Sequence, residues 1–427
     1  MTVAVTGMGV VCSIGADVPS FTRALWKGRC GIQPVPDTDA GGAARRLAAV
    51  VRGFSFDGGV ARRRLLPESI RRDALRAARR SPRSLQIDLV TALEAFEDAR
   101  LYRSGIPADR VGLVVAGHNL TSDYAYDLQD KYQENPAYLP ARFALHFMDT
   151  DHVGTLSQVL GIKGEGYTVG GASASGNVGI VNACRLVESD AVDACLVVGA
   201  MTDLSPMQRQ GFAAIGAVAG AETDTPQQEQ SRPFDEDHEG FVPGQGSACM
   251  VVESAESARR RGATVLAEIA GYDLKLDGNS LADPREEGEA KVMRNAIRQA
   301  GIEPKDISYV NAHATATPAG DEAELHALRR VLGASFSVPW VNSTKGLTGH
   351  CLCAAGVVEA VATIVQMRHG FVHPNVNLKR PIDDDCRFVG VRAEPAEIGY
   401  ALSNSFGFGG FNTSIVLRRG DERGNGR

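Results

Sequence analysis

Residues 167–187 read YTVGGASASGNVGIVNACRLV. A β-like run, Tyr167 to Val169, meets a Gly170-Gly171 turn, and an apolar pattern at helical spacing begins near Asn177. A strand that turns sharply into a helix is the local grammar of an α/β protein. A residue in that turn sits at a helix N-terminus, where free backbone N–H groups and the dipole favour developing negative charge. Ser173 and Ser175 lie there. Each reads as a plain helix cap, or as a nucleophile or oxyanion-site residue.

The same grammar recurs along the chain. Short β-branched runs at Val3 to Thr6, Val111 to Ala116, Ala194 to Val198, Ala248 to Glu253 and Ile307 to Asn311 alternate with helical patterns at Ser84 to Ala99, Asn177 to Glu188, Glu287 to Ala300, Asp321 to Leu332 and Ala354 to Met367. That alternation predicts an α/β fold with covered sheets. Ala401 to Leu417 reads as two strands around a glycine-rich turn, SFGFGGFN. The polar stretch Ser254 to Gly262 separates two halves of similar grammar, 1–255 and 256–420, followed by a disordered tail at 421–427.

Composition bounds the function. The chain has 427 residues, 44% hydrophobic and 22% charged, with a net charge of −6. Such a balance argues against general nucleic-acid binding. Glycine is 47 of 427 residues, well above the usual share of about 7%. It has no fixed period, so it marks tight turns and close backbone approaches. No run of about 18 apolar residues predicts a membrane span. The N-terminus is apolar but lacks a basic region, so it reads as a strand and turn rather than a signal peptide. With eight scattered cysteines, the expected compartment is the cytoplasm.

Three further clusters carry chemistry. VNAHATATPAGDEAE holds His313, Thr315, Thr317, Asp321 and Glu324 at a strand end. VNSTKGLTGHCLCAAGVVEA places Lys345 and His350 around two glycines, ahead of an apolar helix bearing Glu359. His350, Cys351 and Cys353 do not make a metal site, because no CxxC pair is present. Ser403 to Asn412 is either a plain hairpin with core aromatics or a functional glycine turn. Residues 61–83 are rich in arginine, among them Arg62, Arg63, Arg64, Arg71 and Arg72. They read as a solvated helix face or as a docking surface for an acidic partner. Residues 118–152, rich in Tyr, Asp and His, read as a pocket-lining insertion or a subunit contact.

Taken in order, these segments resemble the β-ketoacyl-acyl carrier protein synthases. VAVTGMGVVCSIG, SRPFDEDHEGFVPGQGSA, NAHATAT, NSTKGLTGH with AAGVVE, and SNSFGFGGFN each look like a signature of that family. The resemblance implies a thiolase-like fold of two similar halves in an αβαβα sandwich, and a homodimer. It places the family's active-site histidines on His313 and His350, its lysine on Lys345 and its helix glutamate on Glu359. The gating turn falls on Gly407, Phe408 and Gly409, with Ser173 and Phe408 supplying backbone N–H groups. Thr315 and Thr317 fall where the pantetheine arm is held. No cofactor is implied beyond the phosphopantetheine arm that arrives on the acyl carrier protein, for which the arginine stretch is a candidate docking face.

The family's nucleophilic cysteine falls on Ser173, and Cys353 and Gly320 also depart from its pattern. A thiol of pKa about 8.5 can be ionised at a helix N-terminus. A serine hydroxyl there needs a dedicated general base. Decarboxylation of a malonyl thioester needs no nucleophile, only donors for the developing oxyanion. The expectation is a malonyl-acyl carrier protein decarboxylase that forms acetyl-carrier protein, like the Cys-to-Ser homologues of polyketide β-branching cassettes. The alternatives are a serine-dependent acyltransferase, and a non-catalytic partner subunit of a Cys-containing ketosynthase.

Overall fold

The computed structural model describes residues 2–36, 45–219 and 231–420; the expected tail at 421–427 lies outside them. Ten strands form one sheet. In chain order they are β1 (Val3–Cys12), β2 (Val111–Ala116), β3 (Gly166–Val169), β4 (Ala194–Gly199), β5 (Gly246–Ser254), β6 (Ala267–Leu276), β7 (Ile307–Asn311), β8 (Trp340–Asn342), β9 (Tyr400–Gly407) and β10 (Phe411–Arg419). Their order across the sheet is β8-β7-β9-β10-β6-β1-β5-β4-β2-β3.

That order is a repeat. In the first half β1 is antiparallel to β5 and β5 to β4, while β4, β2 and β3 run parallel. The second half has the same pattern with β6, β10, β9, β7 and β8 in the corresponding places. The halves join where β1 and β6 pair, Val3 opposite Ile269. The short helix Ala255–Arg260 bridges β5 to β6 within the polar centre of the sequence.

Helices cover the sheet in layers. Helix α1 (Arg83–Asp98) packs on the outer face of the first half, over the core of Leu89, Leu93, Val198 and Val251. Helix α2 (Thr150–Leu160) packs beside it, on β2 and β3. Helices α3 (Ser175–Glu188) and, later in the chain, α6 (Ala355–His369) pack between the two halves, touching strands of both. Helix α4 (Glu286–Ala300) covers the outer face of the second half, with α5 (Pro318–Leu332) packed against it. The succession is α, β, α, β, α. Helix α6 is buried from Ala355 to Met367, as its all-round apolar sequence requires.

The central helices cross closely at their N-termini. A Cβ on Gly176 would lie 2.7 Å from the Val357 nitrogen, and one on Gly356 would lie 2.6 Å from the Asn177 nitrogen. This contact sets the two strand-to-helix turns side by side.

Candidate active site

The turn before α3 separates the two serines. Ala172 adopts a left-handed φ of 49° and opens a one-turn helix, Ala172–Ala174. Ser175 is the structural serine: its Oγ accepts the Gly171 N–H at 2.9 Å and donates to the Ala172 carbonyl at 2.7 Å. Ser173 is thereby left to the cavity, with its Oγ 2.8 Å from His350 Nε2. The second half repeats the turn. Leu352 has the same φ of 49°, and Leu352–Ala354 leads into α6. Cys353 therefore stands in the second half where Ser173 stands in the first, and both line the same cavity.

The hydrogen-bond directions fix the imidazole tautomers. The Leu352 N–H donates to His350 Nδ1 at 3.2 Å, so the proton of neutral His350 is on Nε2 and is offered to Ser173 Oγ. Lys345 Nζ faces His313 Nδ1 at 3.4 Å, which leaves His313 with its proton on Nε2. Burial pushes both histidines well below the ordinary imidazole range, and the Lys345 ammonium pushes them further. Both are neutral N–H donors at neutral pH. Lys345 is paired with Glu359 on α6, whose carboxyl burial raises against the pull of that ammonium. The two imidazoles stand edge to face, centroids 5.7 Å apart.

The loop carrying His313 is held by carboxylates from α5. Glu324 accepts the backbone N–H groups of His313 at 2.9 Å and Ala314 at 2.8 Å, and the Asn404 amide at 2.9 Å. Asp321 accepts the Ala316 N–H at 3.1 Å, where Ala316 has a φ of 65°. Burial pushes the Glu324 carboxyl up to about 7.

Ser173, Cys353, His313 and His350 line a cavity of about 700 Å³. Phe408, 41% exposed, stands at its edge. An aromatic chain runs from Phe408 through Phe212 and Phe241 to His350, with centroids 6.3, 5.7 and 5.3 Å apart. A Cβ on Gly407 would collide with the Gly171 carbonyl and lie 3.2 Å from the Ser173 nitrogen, so only glycine lets the β9–β10 turn approach the serine. Gly409 N–H donates to the Leu281 carbonyl at 2.7 Å. Thr315 and Thr317 line the cavity and hydrogen-bond each other at 2.9 Å. A Cβ on Gly320 would lie 2.6 Å from Thr317 Oγ1, so the glycine gives that hydroxyl its place.

The arginine stretch stands apart from this cavity. One of its expected docking residues is corrected: Arg63 is 7% exposed and pairs with Glu94 at 3.3 Å and Glu97 at 3.8 Å, so it ties the chain to α1. Arg62, Arg64 and Arg72 are exposed, and Arg71 is half-buried. Of the insertion at 118–152, His118 and Asn119 reach the cavity wall. Sequence reasoning missed His118 and Phe241 as cavity residues, because their approach is long-range. It also missed the Leu352 amide, which sets the His350 tautomer and which no side-chain pattern reveals.

Comparison with known proteins follows the same lines. The model of the beta-ketoacyl synthase N-terminal domain matches residues 1–258, and that of the C-terminal domain matches residues 266–379. The chain is 36% identical over 416 residues to the polyketide biosynthesis malonyl-ACP decarboxylase PksF of Bacillus subtilis (strain 168), covering 97% of this chain and 96% of that protein. It is 33% identical over 430 residues to the 3-oxoacyl-(acyl-carrier-protein) synthase 2 of Vibrio cholerae serotype O1, covering 98% and 99%. Among solved structures it is similar to the AntDE:AntF complex, a type II polyketide synthase acyl-carrier protein with its ketosynthase. The TM-score there is 0.83 at 27% identity, covering 98% of this chain and 99% of that one. A beta-ketoacyl synthase from Burkholderia phymatum STM815 also gives a TM-score of 0.83, at 28% identity, covering 98% and 100%.

Proposed function

We propose that this chain, which belongs to the beta-ketoacyl synthase family, decarboxylates malonyl-acyl carrier protein to acetyl-acyl carrier protein in polyketide biosynthesis, without condensation. One observation carries the reading: among the described residues, the imidazole hydrogen-bonded to Ser173 is that of His350, and it gives the hydroxyl a hydrogen-bond donor and no base. The lone pair of His350 is taken by the Leu352 amide. The acyltransferase alternative, which needs that imidazole to deprotonate Ser173, loses its base.

The same N–H groups suit the decarboxylation. The thioester oxygen of the malonyl group is placed toward the Nε2–H groups of His313 and His350. As the bond between Cα and the carboxylate breaks, its electron pair moves into the thioester and CO2 leaves. Negative charge develops on the thioester oxygen, where preorganised donors are each worth about 10² to 10³ in rate. The resulting enolate takes a proton from solvent water at Cα, leaving hydroxide to the solvent, and becomes an acetyl group. Lys345, held by Glu359, keeps the His313 tautomer and makes it a donor. Ser173 fills the place of a thiol without forming an acyl-enzyme, and the backbone N–H groups of Ser173 and Phe408 flank the thioester. Thr315 and Thr317 meet the pantetheine arm.

The carrier protein is the proposed partner, with exposed Arg62, Arg64 and Arg72 as its docking candidates. The proposed assembly is a homodimer through β3, a sheet-edge strand paired on one side by β2. Among the described residues no helix is long and apolar enough to cross a membrane. Eight free cysteines are consistent with a reducing cytoplasm as the proposed location.

The test is mass spectrometry of malonyl-carrier protein incubated with this protein alone. The expected product is acetyl-carrier, with no acyl group on the protein. No loss of CO2 from any malonyl carrier overturns the reading.

A further inference from the structure

Beneath the Phe408 turn, the cavity has a polar wall that the chemistry above does not use. It is made by Asp277, Glu289 and Asn412, all of which line the cavity. Glu289, in the first turns of α4, is 1% exposed, and its Oε2 has no hydrogen-bond partner. Asn412, on β10, is 3% exposed, and its Nδ2 has none either. Gly288, next to Glu289 in the chain, lets Asp277 and Asn412 close on the start of α4: a Cβ there would overlap Asp277 Oδ1 and lie 2.6 Å from Asn412 Nδ2. A buried polar atom without a partner is costly, and an acceptor and a donor at the same wall of the cavity call for a ligand that pairs with both. Thr315 and Thr317, by contrast, are hydrogen-bonded to each other, with one hydroxyl proton left for the arm.

We propose that Glu289 and Asn412 form an amide-recognition subsite that grips the pantetheine arm of the substrate through one of its amide groups. The Asn412 N–H donates to the amide oxygen, and the amide N–H donates to the Glu289 carboxyl. This rests on the malonyl-carrier reading. The pair offers one donor and one acceptor, the complement of a secondary amide. Charge argues the same way: Asp277, Glu286, Asp321 and Glu324 surround Glu289, so an anionic group such as the malonyl carboxylate is disfavoured there. Burial, and then those neighbouring carboxylates, push the Glu289 carboxyl well above its ordinary range. A neutral acid still accepts an N–H on its carbonyl oxygen.

Kinetics on two substrates test this: malonyl-pantetheine, which carries the arm amides, and S-ethyl malonyl thioester, which carries none. Glu289→Met and Asn412→Ala are each expected to raise KM for malonyl-pantetheine about 3- to 10-fold, the usual worth of one hydrogen bond, with kcat kept. Both leave the S-ethyl substrate unchanged. Glu289→Gln, which retains a carbonyl acceptor, is expected to stay close to wild type on both. Equal losses on the two substrates, or no change with the arm-bearing one, overturn the subsite. Wild-type protein that releases no CO2 from either thioester or from malonyl-carrier protein overturns the decarboxylase reading instead. The subsite is then decided by the Kd for pantetheine alone: weakening by Glu289→Met supports it, and an unchanged Kd refutes it.

Discussion

Ser173 and Ser175 differ by two positions and by almost everything that matters chemically. Ser175 closes the turn, and Ser173 Oγ accepts a hydrogen bond from His350 Nε2–H. Because that donor cannot also serve as base, Ser173→Ala is expected to leave CO2 release within about an order of magnitude of wild type. His313→Ala and His350→Ala are each expected to lose about 10² to 10³ in kcat, the worth of one oxyanion donor. Release of CO2 measured on the three variants separates the roles, and equal losses in all three would contradict them. Ser173→Cys restores the one side chain that a helix N-terminus can ionise near neutral pH. It is expected to acquire an acyl adduct from an acyl-carrier thioester, seen by intact-protein mass spectrometry. The missing thiol was legible in the sequence. The direction of the hydrogen bond was not, because it depends on a backbone amide two residues past His350.

At the scale of the element, close contact between α3 and α6 makes one cavity of two turns. Both contacts at this crossing are to backbone atoms, which cannot swing aside as a flexible side chain can. Gly176→Ala is therefore expected to cost about 1 to 3 kcal/mol, the usual range for overpacking. Gly154, inside α2, has nothing within 4 Å of an added Cβ. Gly154→Ala is expected to stabilise by about 0.5 to 1 kcal/mol through helix propensity alone. Denaturant midpoints of the two variants test the contrast, and a shift of the same sign in both would refute the packing account. The sequence showed the glycine excess and the helix starts. It did not show which glycines face which backbone, since Gly176 and Gly356 lie 180 positions apart.

Over the whole molecule, the halves were legible because hydrophobic period and turn chemistry are local. Their repetition strand for strand is a matter of long-range pairing, and it explains why Cys353 mirrors Ser173. The joined halves also bury a titratable pair, which links the fold to pH. Folded His313 and His350 bind protons well below the ordinary value of 6.5, while the unfolded chain binds them near it. Between 6.5 and the depressed folded values, the unfolded state therefore holds more protons, so stability rises with pH. The contribution is fully present above 6.5 and is lost as pH falls below it. Each histidine adds a slope of up to about 1.4 kcal/mol per pH unit within that window. Other acidic groups titrate in wild type and variant alike, so they cancel to first order in a difference measurement. Wild-type stability is expected to fall more steeply between pH 6.5 and 5 than that of a His313→Asn, His350→Asn double variant, followed by urea unfolding at each pH. Parallel slopes would mean that the pair is protonated in the folded state, and the neutral-donor chemistry of the site would fall with it.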